Sequence, residues 1–169
     1  MLRHTILSNG VTPMQWYDRR SPFLVLVALV VGSVPARGQQ SASNKQVINI
    51  PGRPPGVLSP AVRVGDLIFL SGVMGTKPGG GGLADSTIEG QTRQALENVK
   101  TGVALAGVTM ADVAKCTVFL TDAHEFASMN KVYHEFFTTD PPARSTVVVA
   151  ALVLPNAKIE IECIATAKR

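Results

Sequence analysis

Residues 86–120 read STIEGQTRQALENVKTGVALAGVTMADVAKCTVFL, and this stretch predicts a helix followed by a strand. Ser86 and Glu89 have the spacing of a capping box, which satisfies free N–H groups at a helix start. Small and apolar residues then recur at helical spacing across 88–106. Over 113–120, apolar residues alternate with others, which is the period of a strand. The chain therefore combines helix and strand.

Further elements flank this unit on both sides. Residues 61–64 and 67–71, separated by Gly65 and Asp66, predict a hairpin, and an alternating piece at 46–50 is typical of an edge strand. After residue 120, Asp122 and Glu125 have the spacing that caps a second helix. One face of that helix is apolar and is expected to join the core: Phe126, Met129, Tyr133, Phe136 and Phe137.

The order of these elements predicts an α+β fold, with two helices covering one face of a mostly antiparallel sheet. The last two strands carry more apolar side chains than two helices can cover. These side chains are Val147, Val149, Ala151, Ile159 and Ile161. We therefore expect the second face of the sheet to be buried by association with other copies of the chain.

Composition indicates one ordinary globular core, because 46% of the 169 residues are hydrophobic and 17% are charged. The net charge of +4 is concentrated near the start, where four arginines and one aspartate lie within residues 1–38. The remainder is nearly balanced and has no basic stripe with interleaved aromatic residues. Nucleic-acid binding is therefore not expected.

Residues 1–38 have the pattern of a secretory leader. Arg19 and Arg20 precede an apolar run over 23–34, which is shorter than the ~20 residues that a membrane span needs. We predict a signal peptide over 1–38, export to the periplasm or the medium, and no stable membrane span after cleavage. An irregular segment at 39–58 and one α+β domain at 59–169 would follow. One alternative is that the segment is an uncleaved membrane anchor. The other is that the start codon is assigned too early, in which case the protein is cytoplasmic.

The two cysteines, Cys116 and Cys163, both lie in predicted strands with apolar neighbours. Such positions favour buried free thiols, although an exported protein also allows a disulfide between them. No Cys or His cluster has the spacing of metal ligands, so no metal site is predicted.

Two late segments carry the candidate site: DPPARST at 140–146 and KIEIECIA at 158–165. If the two strands pair, the guanidinium of Arg144 faces a glutamate carboxylate of the second segment across a small cleft. Arginine grips a carboxylate through two hydrogen bonds, and a nearby glutamate moves protons or positions water. The alternative is a solvated face with a weak surface ion pair.

Four motifs in order resemble the RidA family, also called YjgF or UK114, which contains reactive-intermediate deaminases. They are GDLIFLSG at 65–72, MNKVYHEFF at 129–137, PPARS at 141–145 and KIEIE at 158–162. The resemblance runs from about Ser59 to the end of the chain. It implies a chorismate-mutase-like α+β sandwich that assembles as a homotrimer with ligand clefts between subunits.

The resemblance also implies roles for individual residues. Arg144 corresponds to the carboxylate anchor, and Glu160 to the residue that activates water or donates a proton. The remaining residues implied to line the substrate cleft are Ser71, Gly72, Asn130, Ser145 and Thr146. Leu58 stands where the family commonly has a tyrosine, and the stretch from Arg144 to Glu160 is one residue longer than the family pattern. The extra residue is expected at the 154–156 turn, whereas a bulge in the strand would bring Glu162 to the place of Glu160.

The implied activity is hydrolysis of small enamines and imines, such as 2-aminoacrylate and 2-iminopropionate, to 2-keto acids and ammonia without a cofactor. A second hypothesis is an exported protein that binds a small carboxylate and has little or no activity. An endoribonuclease, a label this family often carries, is a distant third because the sequence has no histidine pair, metal cluster or basic groove.

Overall fold

The computed structural model describes residues 44–52, 54 and 56–167. The predicted leader at 1–38 lies outside the described residues, and its export and cleavage stay predictions. The described residues belong to one compact unit, Gln40–Arg169. No helix in this described part is both long and apolar enough to cross a membrane.

Seven strands and two long helices form the unit. The strands are β1 (Lys45–Ile48), β2 (Ala61–Val64), β3 (Leu67–Leu70), β4 (Val73–Met74), β5 (Val113–Leu120), β6 (Ala143–Val148) and β7 (Ile159–Thr166). The helices are α1 (Ile88–Leu105) and α2 (Phe126–Phe136). The predicted hairpin, both helices and the strand at 113–120 are therefore present. β1 is at the edge of the sheet, as expected for the alternating piece at 46–50, within a segment otherwise predicted to be irregular.

The sheet has the strand order β1-β2-β3-β7-β5-β6, and β4 also pairs with β7. Every pair is antiparallel except β5 with β6, which is parallel. The predicted α+β class with a mostly antiparallel sheet is thus confirmed.

Alternate residues of the central strands point toward the helices. On β5, Cys116, Val118 and Leu120 are fully buried, and they pack with residues of both helices in one core. Their neighbours in sequence point to the opposite face because the side-chain period of a strand is two. We call this opposite surface the open face of the sheet.

The start of α1 differs from the prediction by one residue. Thr87, not Ser86, is the N-cap, and its hydroxyl accepts a hydrogen bond from the Gly90 N–H at 3.1 Å. Asp85 in turn accepts hydrogen bonds from the Thr87 N–H and hydroxyl, at 2.7 and 2.8 Å. These bonds lower the pKa of Asp85. Asp85, which precedes the cap, therefore accepts the hydrogen bond from the N-cap N–H, the role that the predicted capping box gave to Glu89.

Cys116 and Cys163 form a disulfide, so the prediction of free thiols is wrong. Both residues are buried as expected, with 0% and 2% of their surface exposed. The antiparallel register of β5 and β7 places them directly opposite each other, with their Cα atoms 4.1 Å apart. That register is a tertiary feature, which the spacing of two cysteines in the sequence does not reveal.

Candidate active site

Arg144 lies on β6 and is held by three residues of α2. Its Nη2 donates a hydrogen bond of 2.7 Å to Oδ1 of Asn130. Its Cζ lies 4.5 Å from the ring centroid of Tyr133 and 5.7 Å from that of Phe126, both within the range of cation–π contacts. We call Phe126, Asn130, Tyr133 and Arg144 the arginine cluster.

The guanidinium in this cluster is half-buried, and no carboxylate among the described residues forms an ion pair with it. A guanidinium has five N–H donors, and Asn130 occupies one of them. The remaining donors suit the two oxygens of a small carboxylate. The cluster is therefore built like an anion anchor.

Tyr133 forms the buried side of the cluster. Only 5% of its surface is exposed, and its Oη has no hydrogen-bond partner within the described structure. Burial raises the pKa of Tyr133 to about 12, against an opposing effect of the positive Arg144. The phenol is therefore neutral at physiological pH and presents an uncharged ring face to the guanidinium.

Glu160 lies on β7 beside a break between β3 and β4. Phe69 pairs with Ile164 and Val73 pairs with Ile161, so the β3–β4 side has one more residue than β7 between these pairs. Such an extra residue is a bulge, which re-aims side chains and backbone. The break contains Ser71 and Gly72, two of the predicted site residues.

Gly72 lies against the Glu160 side chain. A Cβ at this position would overlap the carboxylate and would lie 3.0 Å from its Cδ. The Ser71 hydroxyl donates a 2.6 Å hydrogen bond to the carbonyl of Ser59, and so holds the preceding loop next to the break. We call Ser71, Gly72 and Glu160 the glutamate cluster.

The arginine and glutamate clusters do not meet within one chain. The expected pairing of the two strands that carry them is absent because β5 lies between β6 and β7. Arg144 is opposite Cys116, on the helix-covered face, whereas Glu160 is opposite Phe119, on the open face. Strand spacings place the two Cα atoms roughly 14 Å apart. β6 and β7 follow each other along the chain, but they are not neighbours in the sheet.

The other predicted site residues divide between the two faces. Asn130 contacts Arg144 directly, and Thr146 lies two residues from Arg144 on the same face of β6. Ser145 points to the open face, where its hydroxyl accepts a 2.6 Å hydrogen bond from Nζ of Lys115. Ser145 therefore contributes its side chain to neither cluster.

Comparison with known proteins identifies the family. A family model described as Endoribonuclease L-PSP matches residues 52–167. The chain is 39% identical over 159 residues to Reactive Intermediate Deaminase A, chloroplastic, of Arabidopsis thaliana, which covers 93% of this chain and 79% of the relative. The chain belongs to the RidA family.

A second curated relative and a solved structure agree with this assignment. The 2-iminobutanoate/2-iminopropanoate deaminase of Dermatophagoides farinae is 39% identical over 124 residues, covering 72% of this chain and 96% of the relative. The crystal structure of Escherichia coli TdcF with bound serine is 37% identical with a TM-score of 0.66, covering 73% of this chain and 99% of TdcF. The matched part thus spans nearly the whole length of these two proteins.

No bulge interrupts the pairing of β7 with β5 near Glu160, because the register shifts only between Val113 and Lys115. The connection before β7, over 149–158, contains a turn where Asn156 has a φ of 64°. The pairing of β5 with β7 stays regular from Cys116 to Leu120, and Glu160 keeps its place beside Gly72. Glu162 is exposed opposite Thr117, away from the bulge. This geometry favours Glu160 over Glu162.

Sequence reasoning missed the parts that Phe126 and Tyr133 play beside Arg144. The apolar pattern of the helix predicts both in the core, yet Phe126 is 44% exposed because it is the first residue of α2 and lies near the edge strand β6. The available signal was spacing, since Phe126, Asn130 and Tyr133 lie on one face of a helix. Their common neighbour, Arg144, comes from another element and is not visible in that pattern.

Proposed function

We propose that this RidA protein hydrolyses small 2-imino acids and their enamine tautomers to 2-keto acids and ammonia. The observation that carries the proposal is the Arg144 guanidinium, which α2 holds in place and which has no carboxylate partner among the described residues. Such an anchor is matched to a small carboxylate ligand. The names of the two deaminase relatives add support for this reaction class.

In the proposed reaction, Arg144 binds the substrate carboxylate and so fixes the position of the adjacent C=N carbon. Glu160 accepts a proton from a water molecule as the water oxygen bonds to that carbon. The resulting carbinolamine then loses ammonia, after proton transfer to its nitrogen, and leaves the 2-keto acid. Water is the only co-reactant, so the reaction needs no cofactor.

The two clusters belong to one site only if a second copy of the chain supplies one of them. Within one protomer they lie on opposite faces of the sheet. The open face also carries an exposed apolar strip, which includes Val47, Val64, Leu67 and Phe69, each at least 40% exposed. We therefore propose a homotrimer in which Arg144 of one protomer and Glu160 of its partner line the same cleft.

A binding protein without turnover is the second candidate. The specific observation in its favour is Leu58, which is 64% exposed in the loop before Ser59 and occupies a position where a tyrosine is common in the family. Leucine has no hydroxyl to orient water or substrate. In this case the arginine cluster would be kept for capture of a carboxylate alone.

The activity test uses residues 40–169 and 2-iminopropionate generated in situ, with release of ammonia and pyruvate measured above the uncatalysed rate. We expect Arg144→Ala to abolish both catalysis and carboxylate binding, and Glu160→Gln to remove turnover but keep binding. Arg93→Ala is the matched control because Arg93 forms an exposed ion pair with Glu135 on the helices. Full activity in Arg144→Ala would overturn the assignment, and binding without turnover in the wild type would favour the binding protein.

Export is proposed on a separate basis. The leader pattern over 1–38 supports it, and so does the buried disulfide, since such bonds persist mainly in oxidising compartments. The test is the mass of the mature protein after cell fractionation. Intact protein with residue 1 retained in the cytosolic fraction would contradict export.

A further inference from the structure

Three residues on one face of α2 contact a single guanidinium. Phe126, Asn130 and Tyr133 are spaced four and three residues apart, so they project from the same side of the helix. The hydrogen bond from Arg144 to Asn130 is 2.7 Å long, and the Tyr133 ring centroid lies 4.5 Å from Cζ. This face of α2 thus touches the charged end of Arg144 from more than one direction.

The contacts restrain different motions of the guanidinium. A ring face attracts the flat cation and limits its tilt, because the attraction depends on the cation lying over the ring. The Asn130 oxygen accepts from one specific nitrogen, so it limits rotation of the guanidinium within its own plane. Together the two contacts set the direction in which the remaining N–H groups point.

We infer that this face of α2 is a positioning element, with Tyr133 and Asn130 as positioning residues that set the affinity of Arg144 for the substrate carboxylate. This inference rests on the proposed function, since it takes Arg144 as the carboxylate anchor. Binding to a preoriented guanidinium avoids the entropy cost of ordering a long side chain. Loss of either contact should therefore weaken binding while Arg144 itself remains.

The Tyr133 hydroxyl has no partner in the described structure, so the ring alone accounts for the contact. We expect Tyr133→Leu in residues 40–169 to raise the KM for 2-iminopropionate about 5- to 30-fold. The kcat should change far less, because Glu160 lies in the other cluster. Tyr133→Phe keeps the ring and should restore most of the affinity, which a general packing defect would not predict.

Substitution of Asn130 gives a second, independent test of the positioning role. Asn130→Ala removes one acceptor and should raise KM roughly fivefold. Asn130→Asp is nearly the same size, but it places a carboxylate next to Nη2, where it pairs with Arg144 and competes with the substrate. We expect its KM to rise more than that of Asn130→Ala, by about tenfold or more. The opposite order would overturn the role of Asn130.

Pyruvate binding, measured by titration calorimetry, separates failure of this inference from failure of the proposed function. If pyruvate binds neither the wild type nor any variant, the anchor itself is refuted. If pyruvate binds in an Arg144-dependent way but Tyr133→Leu binds it as tightly as the wild type, only the positioning role is refuted. Phe136→Leu is the matched control, an aromatic loss on α2 that packs against the core and should not alter pyruvate affinity.

Discussion

At the level of single residues, Tyr133 predicts a loss of stability in alkaline solution. An unfolded tyrosine ionises near pH 10, whereas burial raises the pKa of Tyr133 to about 12. Between these values unfolding releases a proton, so the free energy of unfolding falls as pH rises, by about 1.4 kcal/mol per pH unit. Below pH 10 both states hold the neutral phenol and the contribution is constant.

The measurement is denaturant unfolding of residues 40–169 at a series of pH values between 9 and 12, with Tyr133→Phe as the reference. The chain has two tyrosines, and Tyr133 is the one that follows residue 38. Its ionisation can therefore be followed directly by the absorbance of tyrosinate. An ordinary midpoint near pH 10 in the folded protein would show that the ring is not buried as described.

A second prediction at the level of single residues concerns Gly72. Any side chain there would collide with the Glu160 carboxylate, so Gly72→Ala should move Glu160 and lower kcat about 10- to 100-fold. Pyruvate affinity should change less, because Arg144 lies in the other cluster. Gly81→Ala is the matched control, since a Cβ at Gly81 meets only Lys77 atoms at 3.7 Å or more. Equal kcat in both variants would refute the close approach of Gly72 to Glu160.

At the level of elements, the disulfide joins the two central strands β5 and β7 across a sequence separation of 47 residues. Loop-closure arguments give a stabilisation of about 4 kcal/mol for a loop of this size, with typical measured values of 2–4 kcal/mol. We expect the double variant Cys116→Ala with Cys163→Ala to lose stability of that order in denaturant unfolding, while it keeps the fold.

Alkylation provides the direct check on this bond. Protein unfolded without reductant should take up no alkylating reagent at either cysteine, whereas reduced protein should take up two equivalents. Uptake without reduction would mean that the buried residues are free thiols. The same experiment on protein taken from each cell fraction would link the bond to a compartment.

At the level of the whole molecule, we predict that three copies of the chain assemble into a trimer. Phe69 is 40% exposed on the open face, next to other apolar residues of β2 and β3. A charge buried there without a partner is costly, so Phe69→Glu should convert the trimer into monomers and abolish deaminase activity with it. Light scattering coupled to size exclusion measures the mass of each variant.

Lys100→Glu provides the control for that experiment, because Lys100 is an exposed residue of α1 on the opposite side of the molecule from the open face. It should leave both mass and activity unchanged. If wild-type protein is monomeric and active, Arg144 and Glu160 do not act in one cleft, and the assignment of Glu160 must be abandoned.

The sequence by itself determined the elements of this protein and the family to which it belongs. Periodicity located the hairpin at 61–70, both helices and β5, because these patterns depend on neighbours close in the chain. Four motifs in order identified the RidA family and singled out Arg144, Glu160, Gly72 and Asn130. Local chemistry was enough for these conclusions, apart from the exact N-caps. Asp85 shifted the start of α1 to Thr87, and Asp122 caps the short 3-10 helix Ala123–Glu125 instead of α2.

Only the tertiary structure decided how these parts meet. Strand order placed β5 between β6 and β7, which separated Arg144 from Glu160, and the register of β5 and β7 joined Cys116 to Cys163. The contacts of Phe126 and Tyr133 with Arg144 arise in the same way, from the docking of α2 beside β6. Pairing between distant strands is set by the best burial of the whole core, so it is not written in any single stretch of sequence.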